Sequence, residues 1–209
     1  MGAANSNRRD YWNHNTAFHP EALAAVPTRN SDVLDIGCGD GLLLQKLAPR
    51  AGRVTGIDPD ASAISQARRR LADTPNSRAI VGDFLTSPEL DGQSFDLITC
   101  VATLHHMPLG SALERMEQVL KPGGRLYVVG LSANKSTQDW IISGALLLPI
   151  RLMSNLRRES GYADMTTARP SESLTEIRRV AATVLPDSRV RRRFYYRYTL
   201  TWTKPALPV

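Results

Sequence analysis

Strands alternating with helices predict an α/β fold, a parallel sheet covered by helices on both faces. Three observations carry this. Five short apolar, β-branched runs recur between residues 31 and 131, helix-patterned segments separate most of them, and a glycine-rich turn, Gly37 to Gly41, follows directly on the first run.

SDVLDIG (31–37) reads as a buried strand, and GLLLQKLAPR (41–50) as the helix behind it. RVTGID (53–58) is a second strand. Asp60 then caps ASAISQARRRLAD, where Ala61, Ile64, Ala67 and Leu71 share one face. SRAIVGD (77–83) and SFDLITCVA (94–102) are the third and fourth strands. LGSALERMEQVL (109–120) is a helix stopped by Pro122-Gly123-Gly124, and RLYVVGL (125–131) is the fifth strand. Residues 132–170 are irregular around an apolar stretch, WIISGALLLPIRLM. Ser173-Leu174-Thr175-Glu176 is a capping-box pattern opening a helix with Leu174, Ile177, Val180, Ala181 and Val184 on one face. RVRRRFYYRYTLTWT (189–203), aromatic and β-branched, supplies one or two closing strands with no turn signal to divide them.

A chain of 209 residues fits one domain, 1–209, and its 42% hydrophobic and 22% charged content is ordinary for a soluble globular protein. Its two cysteines, Cys38 and Cys100, are too far apart for a CxxC, so the expectation is a reduced, cytoplasmic protein. MGAANSNRRDYWNHN has basic residues but no apolar stretch behind them, unlike a signal peptide, and the 140–153 stretch is too short and interrupted to span a membrane. The net charge of +6 is uneven: residues 151–209 carry 12 basic and 5 acidic side chains. Such a third is a nucleic-acid contact, a membrane contact or a solvated outer face, and dispersed charge favours the last.

Strand, glycine turn and helix together make a ligand site at the carboxyl edge of a parallel sheet, where helix amides favour a negative group. The spacing speaks against the two common phosphate cradles. A dinucleotide turn needs its third glycine at the position of Leu42, and no Gly-Lys-Ser/Thr follows. The acids narrow the choice. Asp35 precedes the glycines, Asp58 ends the second strand where a ribose hydroxyl pair is held, and Asp83 ends the third, within reach of an adenine amino group. Three carboxylates around one pocket suit a cationic ligand without phosphate, and S-adenosylmethionine is such a ligand.

At this point the chain resembles the class I S-adenosylmethionine-dependent methyltransferases of the small-molecule type. VLDIGCGDG is similar to their first motif, VTGIDPD to the acidic loop, VGDF to the adenine-contacting turn, FDLITCVATLHHM to the fourth-strand motif and LKPGGRLYVVG to the turn into the fifth strand. The resemblance implies a Rossmann-like three-layer sandwich whose seven-stranded, mostly parallel sheet has an antiparallel last strand. It implies S-adenosyl-L-methionine as cofactor, approached closely by Gly37, Cys38, Gly39 and Gly41. Asp35 would place the methionine ammonium, Asp58 the ribose hydroxyls, and Asp83 the adenine amino group. Pro59 and Phe84 would flank the adenine, and Val101 would line the methionine end. Residues 1–30 would form an N-terminal cap segment, and 132–170 an insert after the fifth strand that either covers the acceptor pocket or packs as a helix on the core.

The acceptor side rests on fewer residues. His105 and His106 follow the fourth strand, and either supply a general base or pack. His105, nearer the strand end, is the choice, with Tyr11 as its partner across the cleft. Methyl transfer is a direct displacement at an already activated carbon and needs no metal, consistent with the lack of clustered Cys/His ligands. The expected acceptor is a small molecule, at an O, N or C atom; the alternative is RNA held by the basic C-terminal third.

Overall fold

The computed structural model describes residues 11–133, 170–193 and 197–206. Seven strands form one sheet: β1 (Asp32–Ile36), β2 (Arg53–Asp58), β3 (Ser77–Val81), β4 (Phe95–Val101), β5 (Leu120–Leu131), β6 (Arg189–Arg192) and β7 (Arg197–Thr203), ordered β3-β2-β1-β4-β5-β7-β6. β1 to β5 pair in parallel, and β7 lies antiparallel between β5 and β6. The mostly parallel sheet with a reversed last strand is the one expected.

The central strands β1 and β4 are nearly continuous buried runs because both faces are covered. Alternate side chains leave on opposite sides. Val33, Val54, Leu97, Tyr127 and Val129 enter the layer of α1 (His19–Ala24), α2 (Leu42–Leu47) and α3 (Ala61–Arg70). Leu34, Ile57, Ile98, Val128 and Leu200 enter the layer of α4 (Leu109–Val119) and α5 (Leu174–Val184).

Local chemistry sets the ends. Asp60 accepts from the Ser62 and Ala63 amides and starts α3. Ser173 and Glu176 form the reciprocal capping box of α5. α2 is shorter than its pattern: Pro49 cannot supply a helical N–H, and residues 48–50 tighten into a 3-10 turn. In α3, Ile64, Ala67 and Leu71 are buried as expected, but Ala61 is exposed in the first turn. Pro122-Gly123-Gly124 does not lie outside the strand. α4 ends at Val119, β5 begins at Leu120, and the Pro-Gly-Gly step falls at a register shift against β4. The Gly123 amide donates to the Lys204 carbonyl, and the Lys204 amide to the Gly124 carbonyl, so pairing from beyond β7 holds this stretch extended. The C-terminal stretch supplies two strands, β6 ending at Arg192 and β7 beginning at Arg197.

No helix among the described residues is long and apolar enough to cross a membrane. Most of the expected insert, residues 134–169 with WIISGALLLPIRLM, lies outside the described residues.

Candidate active site

β1, β2 and β4 deliver the expected residues to one carboxyl edge. The three glycines there serve different ends. Gly37 (φ 71°) donates its amide to the Ile57 carbonyl at 2.8 Å, and a Cβ on it would lie 2.0 Å from Thr103 Oγ1. It is the tight seam between the loop and the end of β4. Gly39 (φ 52°) donates to Asp58 Oδ2 at 3.0 Å, and a Cβ there would meet nothing within 4 Å. It alone of the three faces open space. Gly41 lets α2 approach α3, since a Cβ would sit 2.9 Å from that of Ala67. Cys38 turns inward over Gly56 and is buried; burial, with Asp35, Asp58 and Asp40 nearby, pushes its thiol well above the ordinary range. Its side chain is therefore a packing group, and only its backbone belongs to the loop.

Asp35 is 2% exposed, and Thr99 Oγ1 on the neighbouring strand donates to its Oδ1 at 2.7 Å. Burial pushes its carboxyl up to about 7, with the Thr99 hydrogen bond acting the other way and Asp58 adding to the rise. Asp58 ties two turns together: Oδ2 accepts from Gly39 and Oδ1 from the Asp60 amide at 2.9 Å. Pro59 is exposed beside it. Asp83 is exposed and accepts from the Leu85 amide at 2.7 Å. Phe84 departs from expectation. It is 3% exposed in the α4–α5 core, with the Arg115 guanidinium 6.0 Å from its ring centroid. An apolar ring next to a core layer gains more by turning inward than by lining an open edge.

Past β4, Val101 is half-buried and Ala102 adopts φ 56°, a left-handed conformation that costs a non-glycine residue about 1–3 kcal/mol. Its amide donates to the Val129 carbonyl at 2.7 Å, so the bend is held from β5. Nothing in the spelling CVATLHHM signals this. Leu104 is buried, His105 half-buried and His106 exposed in a short 3-10 turn. The two imidazoles lie 4.1 Å apart. His105 Nδ1 is enclosed with no hydrogen-bond partner among the described residues. Burial pushes His105 down to about 4, with His106 and Arg197 in the same sense and Glu172 opposing. It is thus a neutral imidazole near pH 7, and a weaker base than the sequence suggests. Tyr11, expected opposite His105, donates its hydroxyl to Asp40 Oδ1 at 3.2 Å.

The N-terminal segment spans the same edge. From Tyr11 at the glycine loop it runs through Asn15, whose Oδ1 accepts from Arg197 Nε of β7 at 3.0 Å, and through the buried Phe18 into α1, where Ala22 is buried. Asp40 and its partner Arg70 were not singled out by sequence: an acid between glycines reads as loop, and Arg68-Arg69-Arg70 reads as an exposed helix end. A cleft of about 490 Å³ lies at the opposite, amino edge, lined in part by Asp32, Arg53, Arg78 and Lys121. Its charges are largely paired among themselves, Arg53 with Asp32 at 3.0 Å and Lys121 with Asp32 and Asp96 at 2.9 Å. The residues expected from the sequence lie on the other edge, where carboxylates, open backbone and a strained bend converge.

Comparison with known proteins agrees with this geometry. A methyltransferase-domain family model matches residues 33–124. An uncharacterized methyltransferase of Mycobacterium tuberculosis (strain ATCC 25618 / H37Rv) is 32% identical over 195 residues, covering 93% of this chain and 98% of that protein. A ubiquinone biosynthesis O-methyltransferase of Pseudomonas aeruginosa (strain UCBPP-PA14) is 32% identical over 117 residues, 54% of this chain and 50% of that one. The fold is similar to the crystal structure of the N-methyltransferase NodS from Bradyrhizobium japonicum WM9 in complex with S-adenosyl-l-homocysteine, with TM-score 0.61, 20% identity, and coverage of 91% and 87% of the two chains. Sheet order, glycine loop and a near full-length relative converge, and the chain belongs to the class I S-adenosylmethionine-dependent methyltransferases.

Proposed function

We propose that this methyltransferase acts on a small-molecule acceptor, with the cofactor held along the Gly39–Asp58 edge. The observation that carries this is the pairing of open space at Gly39 with the carboxylates Asp58 and Asp35. A glycine in a left-handed conformation with room in front of it admits a ligand to the backbone. Carboxylates answer the cofactor's hydroxyls and its ammonium, so the residues present fit S-adenosylmethionine. In this reading Asp58 takes the ribose hydroxyls, Asp83 the adenine amino group with Pro59 beside the ring, and Asp35 the ammonium through water. Val101 and the Ala102 bend line the methionine end. The N-terminal segment from Tyr11 serves as a cap over this edge.

Bound S-adenosylmethionine would supply an activated methyl group, transferable to an acceptor lone pair with S-adenosylhomocysteine as the leaving group. The chain contributes alignment, which can remove a large part of the entropic barrier. A proton leaves the acceptor only if it arrives protonated, and in this reading His105 takes it.

Two observations favour a small acceptor over RNA. The ubiquinone-biosynthesis relative, by its name, acts on a small molecule. In the basic C-terminal third, Arg197 donates to Asn15, Arg178 to the Val190 carbonyl, and Arg193 and Lys204 pair with Glu21 and Glu117. These four cations are engaged within the chain, which leaves fewer of the segment's basic side chains for a phosphate backbone. The test is transfer of labelled methyl into a cell extract separated into small molecules, protein and nucleic acid. Label in the small-molecule fraction is expected; label in RNA, with binding that falls steeply with salt, would mean the second acceptor class.

The acceptor so found allows a test of His105. An ordinary imidazole base loses activity below about pH 6.5. With its folded value lowered to about 4, His105 stays neutral well below that, and the rate is expected to hold from neutral pH down to about pH 5. His105→Ala should lower the maximal rate by about 10²-fold, the lower end for a general base, and leave cofactor affinity unchanged. Weaker cofactor binding with an unchanged maximal rate would make His105 a packing residue.

A further inference from the structure

One βα unit grips the glycine loop at two successive residues. From β2, Asp58 holds the Gly39 amide at 3.0 Å. From the last turn of α3, Arg70 reaches back to Asp40. Its Nε donates to the Asp40 carbonyl at 3.0 Å and its Nη2 to Asp40 Oδ2 at 2.5 Å, while Nη1 donates to Gln45 Oε1 of α2 at 3.4 Å. The Arg70 and Asp40 side chains are 8% and 6% exposed. The other Asp40 oxygen accepts from the Leu42 amide at 3.3 Å and from the Tyr11 hydroxyl at 3.2 Å.

Stability alone is a poor account of this pair. Two charges leave water to form it, and apolar residues of similar volume are often as stable in such places. What a guanidinium adds is direction. Its planar fork fixes a carbonyl and a carboxylate of the same residue at once, which an ammonium does not. The Gly39–Asp40 step is thereby pinned from α3, with the Gly39 amide directed at Asp58. Charge points the same way. Asp35, Asp40 and Asp58 all lie near enough to act on the buried Cys38 thiol, so the loop sits among three acids. Arg70 neutralises the one that is packed inside the loop and leaves Asp58, half-buried at the edge, to face a ligand.

We propose that Arg70 is a positioning residue for S-adenosylmethionine, acting through Asp40 to hold the glycine loop in its cofactor-accepting shape. This rests on the assignment of Gly39 and Asp58 to the cofactor.

The test is calorimetric titration of the full chain with S-adenosylhomocysteine, with thermal melts of each variant. Wild-type protein is expected to bind; if it does not, the cofactor assignment beneath this inference fails, whatever the variants do. Given wild-type binding, Arg70→Met should be at least tenfold weaker in the folded protein. Arg70→Lys, which keeps the charge but not the fork, should recover part of the loss. Asp40→Asn keeps size and reads the same contact from its other end, so it serves even if Arg70→Met does not fold; it should bind several-fold more weakly. A residue serving stability alone would lower the melting temperature and leave the affinity of the folded protein unchanged. Folded Arg70→Met or Asp40→Asn binding within twofold of wild type overturns the proposal.

Discussion

Asp58→Ala is expected to weaken S-adenosylmethionine binding by roughly 2–4 kcal/mol, about 30- to 1,000-fold in dissociation constant. Two losses combine. Hydrogen bonds from ribose hydroxyls to a charged acceptor are of the strong kind, and removing the acceptor removes them. The same carboxylate also holds the amides of Gly39 and Asp60, so the glycine loop and the start of α3 lose their common anchor. Asp60→Ala provides the control. It removes the α3 cap, worth about 1 kcal/mol of stability, without touching the Gly39 contact. Titration calorimetry on both variants separates the effects: a large loss of affinity for Asp58→Ala and a small one for Asp60→Ala. Unchanged affinity in folded Asp58→Ala would remove Asp58 from the cofactor site.

Gly37→Ala should be the most damaging small substitution on the same edge, through stability. At φ 71° an added Cβ costs roughly 1–2 kcal/mol in backbone conformation. It would also lie 2.0 Å from Thr103 Oγ1 and 2.6 Å from Thr103 Cβ. Thr103 follows the Ala102 bend, which is tied to β5, so it cannot swing away without disturbing β4 and β5. Overpacking of that kind adds about 1–3 kcal/mol. Together these amount to roughly 2–5 kcal/mol, a large part of the 5–15 kcal/mol typical of a domain. At about 2–4 °C per kcal/mol for a chain of this size, the melting temperature should fall on the order of 10 °C. Gly39→Ala shares the left-handed backbone but meets open space, so its melt should shift less. A Gly37→Ala melt within a degree or two of wild type would refute the close seam with Thr103.

Local signals carried most of the fold. β2 runs from Arg53 to Asp58 as its apolar run predicts, and Asp60 and Ser173 cap the helices their spellings announce. These features depend on neighbours a few residues away, which periodicity and capping rules read well. The departures depend on distant partners. Pro122-Gly123-Gly124 looks like a stop until Lys204 pairs with it. Phe84 looks like a ring beside a pocket until the α4 layer offers it a core and Arg115 a cation. At the site, the acids and glycines were legible because each sits at a strand end. The lowered basicity of His105 and the grip of Arg70 on Asp40 were not, since burial and a contact 30 residues apart leave no mark on local spelling.

The place of β7 in the sheet has a kinetic side. β5, in the parallel half of the sheet, acquires its outer neighbour only when residues 197–203 arrive, after α5 and β6 have been made. During synthesis the edge of β5 therefore waits, with the buried-to-be Leu126 and Val128 beside unpaired backbone groups. Such late, long-range pairings slow folding and expose sticky intermediates. The nascent chain accordingly carries an open edge on β5, a place where another chain could add a strand, from the completion of β5 until β7 emerges.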